Sequence, residues 1–243
     1  MARALFPRIK RRLWRRNDPA AREADGRFEL VRKRILLRDG YRCQYCGFRS
    51  ETQDVHHIDD DQSNNEPSNL ETVCPLCHSL FSLGQVGLSG HGKLAYLPEL
   101  SRQDANHLQR TIAMVLDTGG EQEKAQARAL LVHLGRRVEA VQEAFGTADA
   151  AVFGECLLRL DEERYAAVTH GDHIDDYVLD ESGRKRPVRR DTAMCGLTLL
   201  FHPRRFERYL TAWRKVYAAV PLSTWRQIVR AGDAADHDAS GVT

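Results

Sequence analysis

The chain has 243 residues, enough for one large domain or two small ones, and 29% of them are charged, as in a soluble globular protein. The net charge of +2 excludes no class of partner, but no apolar run is long enough to span a membrane, and the basic N-terminus lacks the apolar stretch of a signal peptide. Four of the six cysteines share one short segment, which is typical of a reducing compartment, so we expect a cytoplasmic protein without a disulfide framework.

Residues 1–27 are predicted to form a basic N-terminal arm. Basic clusters stand at residues 10–12 and 15–16, and Pro7 and Pro19 would interrupt any long helix. Such an arm could grip a phosphate backbone, an acidic protein surface or an anionic membrane. The alternative is a solvated basic face without a partner.

Residues 28–84 are predicted to form a helix followed by a zinc-ribbon module. From Phe28 to Arg38 apolar residues recur at close to helical spacing, and two Cys-x-x-Cys motifs follow this helix. The four cysteines are Cys43, Cys46, Cys74 and Cys77. Each motif can present two thiolates from one tight turn, so the pair predicts a tetrahedral Zn²⁺ site. Because four thiolates leave no open position for a substrate, we predict a structural zinc ion.

Polar residues lie between and beside the two motifs in a characteristic order: His56-His57, Asn69 and, directly after the last cysteine, His78. This His-His, Asn, Cys-x-x-Cys-His pattern closely resembles the HNH nucleases. The resemblance implies a ββα-metal fold, in which a hairpin carries the histidine pair and a helix presents the last histidine. It also implies that His57 is a general base, that Asn69 holds the loop that orients His57, and that His56 and His78 bind a catalytic Mg²⁺ or another divalent ion.

These residue types suit phosphodiester cleavage, because imidazole can deprotonate water near neutral pH and a cation can offset the charge on the phosphate. One departure from the family pattern is Ser82, which stands where many members carry a further histidine. Two protein ligands plus waters can still hold Mg²⁺, although the site would be weaker or lost. The run Asp59–Asp61 could lend a carboxylate but is more typical of a solvated loop. Alternatively, His56 and His57 are ordinary loop residues or spare zinc ligands.

Residues 85–230 are predicted to form a mainly α-helical domain, and residues 231–243 a disordered tail. The glycine-rich stretch 84–92 lacks the pattern of a phosphate-binding loop and is predicted to be a connector. After an extended segment at 94–100, helices are predicted at about 101–116, 120–145 and 148–168, within 197–220, and from Ser223 to Val229. The predicted class is therefore α+β, with a small zinc-ribbon ββα-metal (HNH) module followed by a mainly α-helical domain.

Residues 169–191 carry a second group of histidines and aspartates: His170, Asp172, His173, Asp175 and Asp176. These residue types suit a divalent ion, but their spacing matches no recognised ligand pattern. We therefore predict a surface loop here.

Short segments along the chain carry a second resemblance. They are, in order, CQYCGF, NLETVCPLC, LAYLPEL, LGRRVEAVQEAFG and AVFGECLL. Over roughly residues 34–160 they look like the IcmJ (DotN) family of type IVB secretion systems. The resemblance implies a zinc-containing relative of the HNH nucleases in which the nuclease histidines are often lost. It also implies a cytoplasmic component of the coupling complex that recruits effector proteins.

Two hypotheses of function follow. The main one is a metal-dependent HNH endonuclease that hydrolyses phosphodiester bonds in DNA, with His57 as general base, and the complete histidine and asparagine set favours it. The alternative is a non-catalytic component of a type IVB secretion coupling complex, whose partners are the other proteins of that complex. The long helical part and Ser82 favour the alternative.

Overall fold

The computed structural model describes residues 5–10, 19–169, 177–179, 185–187 and 194–218. Its helices are α1 (Pro19–Arg38), α2 (Pro75–Leu80), α3 (Leu83–Leu88), α4 (Arg102–Thr118), α5 (Glu121–Phe145), α6 (Ala150–Leu158), α7 (Glu162–Thr169) and α8 (Glu207–Ala218). Its strands are β1 (Asp54–His57), β2 (Leu70–Val73), β3 (Gly92–Tyr96), β4 (Tyr177–Leu179), β5 (Lys185–Pro187) and β6 (Leu197–Phe201). In this part of the chain the strands form the antiparallel pairs β1–β2, β3–β6 and β4–β5, and the predicted α+β class is confirmed.

Several predictions concern residues outside these ranges. The histidine–aspartate group at 170–176, the short helix after Ser223 and the tail 231–243 are among them, and the N-terminal arm is described only at residues 5–10 before α1 begins. No helix within the described ranges is both long and apolar enough to cross a membrane.

Helix α1 begins at Pro19 rather than at Phe28, so residues 19–27 belong to the helix and not to the arm. Proline is tolerated in the first helical turn because its missing N–H has no acceptor there. The helix ends where Asp39-Gly40 predicts: Gly40 takes a φ of +59°, and the Tyr41 N–H donates to the Leu36 carbonyl at 2.8 Å.

Strands β1 and β2 and helix α2 form the ββα unit. In the hairpin His56 lies opposite Glu71, and His57 lies opposite Leu70. Cys74 caps α2, because its sulfur accepts from the Cys77 N–H, and the helix then presents His78 towards the hairpin. The unit therefore brings the last two cysteines and the three histidines into one small volume.

The predicted connector at 84–92 is wrong over much of its length, since α3 occupies residues 83–88. Its glycines allow close packing: a Cβ on Gly87 would lie 2.0 Å from the Ala151 backbone nitrogen, and one on Gly154 would lie 2.9 Å from the Gly84 Cα. Helices α3 and α6 therefore approach so closely that only glycine fits. The glycine-rich pattern that predicted a connector therefore reflects tight helix packing.

Helices α4, α5 and α8 lie where helices are predicted, whereas residues 197–201, at the start of the last predicted helical segment, form strand β6. Ser101 caps α4 by accepting from the Asp104 N–H at 3.0 Å, and Gly146 ends α5 with a φ of +74°. The helix predicted over residues 148–168 is two helices, α6 and α7. They separate because the Asp161 carboxylate accepts from the Arg164 N–H at 2.8 Å and so starts a new helix.

Residues 5–10 of the arm are built into the largest hydrophobic core. Leu5 and Ile9 are buried members of this core, and the Tyr165 hydroxyl of α7 donates to the Ile9 carbonyl at 3.0 Å. The Arg8 N–H donates to the Leu80 carbonyl at 2.6 Å, and the Arg8 carbonyl accepts from the Leu83 N–H at 3.1 Å. These contacts fix the position of the basic residues beside them.

Candidate functional site

The four cysteines, which we call the thiolate centre, converge on one point. All four sulfur atoms lie within 4.8 Å of one another, and in the part of the chain that the structure describes no other group of three or more His, Cys, Asp or Glu ligand atoms does so. Two tight turns supply them: Gly47 closes the first with a φ of +72°, and the Cys77 N–H donates to the Cys74 sulfur at 3.4 Å in the second. Such a set of soft donors could hold a metal ion such as zinc.

Side chains of α4 surround the thiolate centre. The Asn106 Nδ2 donates to the Cys77 sulfur at 3.3 Å, and the Arg110 Nη2 donates to the Cys74 sulfur at 3.5 Å. Between them, the His107 Nε2 donates to the Cys46 carbonyl at 2.8 Å. Nothing in the amino-acid sequence marks these residues as functional, because Asn, His and Arg at helical spacing are common on any polar helix face. Only the packing of α4 against the cysteines distinguishes them.

The guanidinium of Arg110 is fully buried, with 0% of the residue exposed. Burial lowers the pKa of Arg110, but the facing Cys74 and Cys46 sulfurs raise it, and the net shift is upward. A buried cation of this kind requires a negative partner, and among the described residues no carboxylate pairs with it. The surroundings of the four sulfurs therefore fit an anionic metal–thiolate group.

The three histidines, which we call the histidine centre, are close together but do not share one point. The rings of His56 and His78 are 5.6 Å apart, and His56 stacks on Phe81 at 4.4 Å. His78 Nδ1 donates to the Asp54 carboxylate at 3.1 Å. Both ring nitrogens of His56 and Nε2 of His78 are buried without a hydrogen-bond partner among the described residues.

His57 is the last residue of β1, and Asn69 directly precedes β2. His57 stacks on Phe28 of α1 at 5.2 Å, and its Nε2 donates to the Asn65 Oδ1 at 3.0 Å. Asn69 holds the loop after β1, because its Oδ1 accepts from the Asp59 N–H at 3.1 Å and its Nδ2 donates to the Asp59 carboxylate and to the Asn64 carbonyl, each at 2.9 Å. The loop that carries Asn65 is therefore held beside His57.

The other polar residues near this centre contribute to the local backbone structure. Helix α2 ends at Leu80, so position 82 is not on the helix face that carries His78, and Ser82 begins α3. Asp59 accepts from the Asp61 N–H at 2.8 Å, and Asp61 accepts from the Ser63 N–H at 2.9 Å. These loop hydrogen bonds agree with the expectation that the aspartates form a solvated loop.

Two cations of the arm lie beside the histidine centre. The Arg8 guanidinium is 4.3 Å from the centre of the Phe81 ring, on which His56 stacks. Burial, together with the charges of His78, Arg8 and Lys10, lowers the pKa of His56 to about 2. Burial also lowers the pKa of His57 and that of Lys10. The imidazoles of His56 and His57 are therefore neutral near pH 7, with positive charge already nearby.

The ββα unit and its cysteines define the class of this module. A family model described as HNH endonuclease matches residues 43–80, which span both Cys-x-x-Cys motifs and the hairpin. Type 4 apparatus protein DotN of Legionella pneumophila is 38% identical over an alignment of 146 residues, and the match covers 57% of this chain and 67% of that protein. The chain belongs to the DotN family. Both predicted resemblances are thereby confirmed.

Proposed function

We propose that this protein is a non-catalytic, zinc-containing component of a type IV secretion coupling complex in the cytoplasm. Its partners would be other proteins of that complex. Membership of the family of a protein named type 4 apparatus protein DotN supports this proposal. The thiolate centre would hold one structural zinc ion, which fixes the ribbon against α4.

The observation that carries the proposal is the pair of arm cations, Arg8 and Lys10, beside the histidine centre. A nuclease of this type needs an open position where a divalent ion, a water molecule and a phosphate can meet. Here His56 is 2% exposed, Arg8 covers Phe81, and Lys10 lies close enough to His56 and His57 to affect both pKa values. Two fixed cations oppose the entry of a divalent cation.

Catalysis and assembly can be tested on the purified full-length protein. We expect no nicking of supercoiled plasmid DNA with Mg²⁺ or Mn²⁺ above the level of a His57→Ala control prepared in parallel. We also expect an affinity-tagged copy, expressed in the native host, to co-purify with other type IV secretion proteins identified by mass spectrometry. Nicking that depends on His57 would contradict the non-catalytic assignment.

A second candidate function is an HNH endonuclease acting on DNA, and the placement of Asn69 favours it. That side chain holds the loop beside His57 through three hydrogen bonds, as a working site of this family would require. In this case His57 would be the general base, and His56 and His78 would bind the divalent ion. Loss of nicking in His57→Ala, with zinc content and circular dichroism retained, is the result that this candidate requires.

A further inference from the structure

We propose that Arg110 is the counter-ion of the thiolate centre, that it strengthens metal binding there, and that it links the metal to the packing of α8. The proposal rests on the structural zinc ion of the proposed function. A divalent ion with four thiolate ligands carries net negative charge, and such a group is stable in a buried place only when cations or hydrogen-bond donors surround it.

The contacts of Arg110 fit this role. Its Nη2 lies 3.5 Å from the Cys74 sulfur and 4.0 Å from the Cys46 sulfur, so one nitrogen faces both Cys-x-x-Cys motifs. Its Nη1 donates to the His107 Nδ1 at 3.0 Å, and His107 in turn donates to the Cys46 carbonyl. Arg110 therefore contacts the centre directly and through its neighbour on α4.

The rest of the guanidinium is surrounded by aromatic rings. Its central carbon lies 3.7 Å above the Phe48 ring and 5.5 Å from the Trp213 ring of α8. Phe48 and Trp213 also contact each other edge to face, with ring centres 6.1 Å apart. Aromatic faces stabilise a cation only partly. The four sulfurs thus supply the negative charge next to Arg110, and the metal ion would hold these sulfurs in place.

This arrangement has a consequence for the helical part. If the metal leaves, the sulfurs are no longer held at one point, and a buried cation remains between Phe48 and Trp213. Helix α8 contributes Trp213, which is 0% exposed, to the same cluster. The loss of the metal should therefore change the environment of Trp213, although that residue is not a ligand.

The test uses the full-length protein in a Trp14→Phe/Trp225→Phe background, which leaves Trp213 as the single tryptophan. Zinc affinity is measured by competition with a chromogenic chelator, and the fluorescence of Trp213 is followed during chelation. Arg110→Met should weaken zinc binding by about 10- to 100-fold, as loss of a group that supports metal ligands typically does. Chelation should change Trp213 fluorescence in the protein that retains Arg110.

The matched control is Arg205→Met. Arg205 is half-buried and, like Arg110, lies beside an aromatic ring, Phe201. It donates to the Ser79 hydroxyl at 2.7 Å and to the His91 Nδ1 at 3.0 Å, and within the described residues it has no hydrogen bond to a cysteine. This variant should bind zinc within about threefold of the parent, well below the typical effect of losing a group that supports metal ligands. Equal losses in the two variants, or unchanged affinity in Arg110→Met, would overturn the proposal.

A second comparison holds even if Arg110→Met does not fold. Arg110→Lys keeps the charge and loses the planar fork, whereas Arg110→Gln loses the charge. Zinc should bind more tightly to the lysine variant than to the glutamine variant, and equal affinities would refute the counter-ion role. Absence of zinc from the purified parent protein would instead show that the structural-zinc assignment itself has failed.

Discussion

The thiolate centre and the histidine centre belong to the same ββα module, and each has arginine or lysine side chains beside it. At the thiolate centre Arg110 faces sulfur ligands that are anionic when a metal is bound, so its charge offsets theirs. At the histidine centre Arg8 and Lys10 face neutral imidazoles, so their charge competes with any metal ion. The same kind of neighbour therefore favours a metal in one place and opposes it in the other.

The two centres also differ in how their donor atoms are engaged. The four sulfurs lie within 4.8 Å of one another. Asn106 and Arg110 of α4 donate hydrogen bonds to two of them. At the histidine centre, His78 Nδ1 is bonded to Asp54 and His57 Nε2 to Asn65, whereas among the described residues both ring nitrogens of His56 and Nε2 of His78 have no hydrogen-bond partner. The order of ligand types along the chain is therefore not enough to define a metal site: the free donor atoms must also converge, and the surrounding charge must allow a cation.

The largest effect should follow from breaking the thiolate centre. Cys74→Ser should remove the metal and unfold residues 41–82, because the binding energy of a structural zinc ion is folding energy. We expect the melting temperature to fall by more than about 10 °C, which corresponds to several kcal/mol for a chain of this size. Circular dichroism and zinc analysis measure this, with the exposed Cys156→Ser as control. Unchanged melting of the zinc-free variant would refute the structural site.

The free energy of unfolding should depend on pH in a way that shows whether His56 is held neutral in the folded protein. The folded state lowers the pKa of His56 to about 2, whereas in the unfolded chain it is about 6.5. Below pH 6.5 the unfolded chain binds a proton that the folded protein does not. The free energy of unfolding should therefore fall as the pH is lowered from about 6.5, by about 1.4 kcal/mol per pH unit, and this stability is fully present only above pH 6.5.

His56→Phe should remove that part of the pH slope. Urea unfolding at pH 7.0, 6.0 and 5.0 measures it, and His133→Gln, at an exposed position on α5, is the matched control. Because acid also weakens a thiolate site in every variant, the result is the difference between slopes. Equal slopes in the parent and His56→Phe would show that His56 is not held neutral.

Removal of the Arg8 and Lys10 side chains should increase the metal affinity of the histidine centre. In the zinc-loaded protein, Arg8→Ser/Lys10→Ser should increase the affinity of the histidine centre for Mn²⁺ by about 30-fold, since each of the two charges contributes on the order of 1 kcal/mol. Electron paramagnetic resonance titration measures bound Mn²⁺. The control is Lys33→Ser/Arg34→Ser, at exposed positions on α1. If both double variants bind Mn²⁺ alike, the arm does not close the site electrostatically.

The smallest effect should come from the loop beside the histidine centre. Asn69→Ala removes the three hydrogen bonds to Asp59 and Asn64 and should cost about 1 kcal/mol of stability. Zinc content should stay unchanged, while amide exchange of residues 58–65 becomes faster. Ser68→Ala, at an exposed position next to Asn69, should leave exchange unaltered. A loss of zinc in Asn69→Ala would mean that the two centres are coupled.

Much of the fold could be predicted because its signals are local. A Cys-x-x-Cys motif needs only one turn to present two sulfurs, and Gly40 and Gly146 mark the helix ends that their left-handed backbones produce. The prediction of secondary structure failed where packing against a segment distant in the sequence determines the local fold. The glycine-rich sequence around Gly87 is typical of a loop, and only its packing against α6 explains why it is helical. The first turns of α1 have no strong apolar period of their own.

The amino-acid sequence by itself determined the thiolate centre, the order of the histidines and asparagine, the mixed fold class and the family. It did so because each of these depends on residues a few positions apart or on the order of segments. The tertiary structure alone decided that Arg110 lies against the Cys74 sulfur, 36 residues away, and that Arg8 lies over Phe81, on which His56 stacks. Burial and electrostatic interactions depend on distances in space, so the spacing of residues along the chain does not predict them.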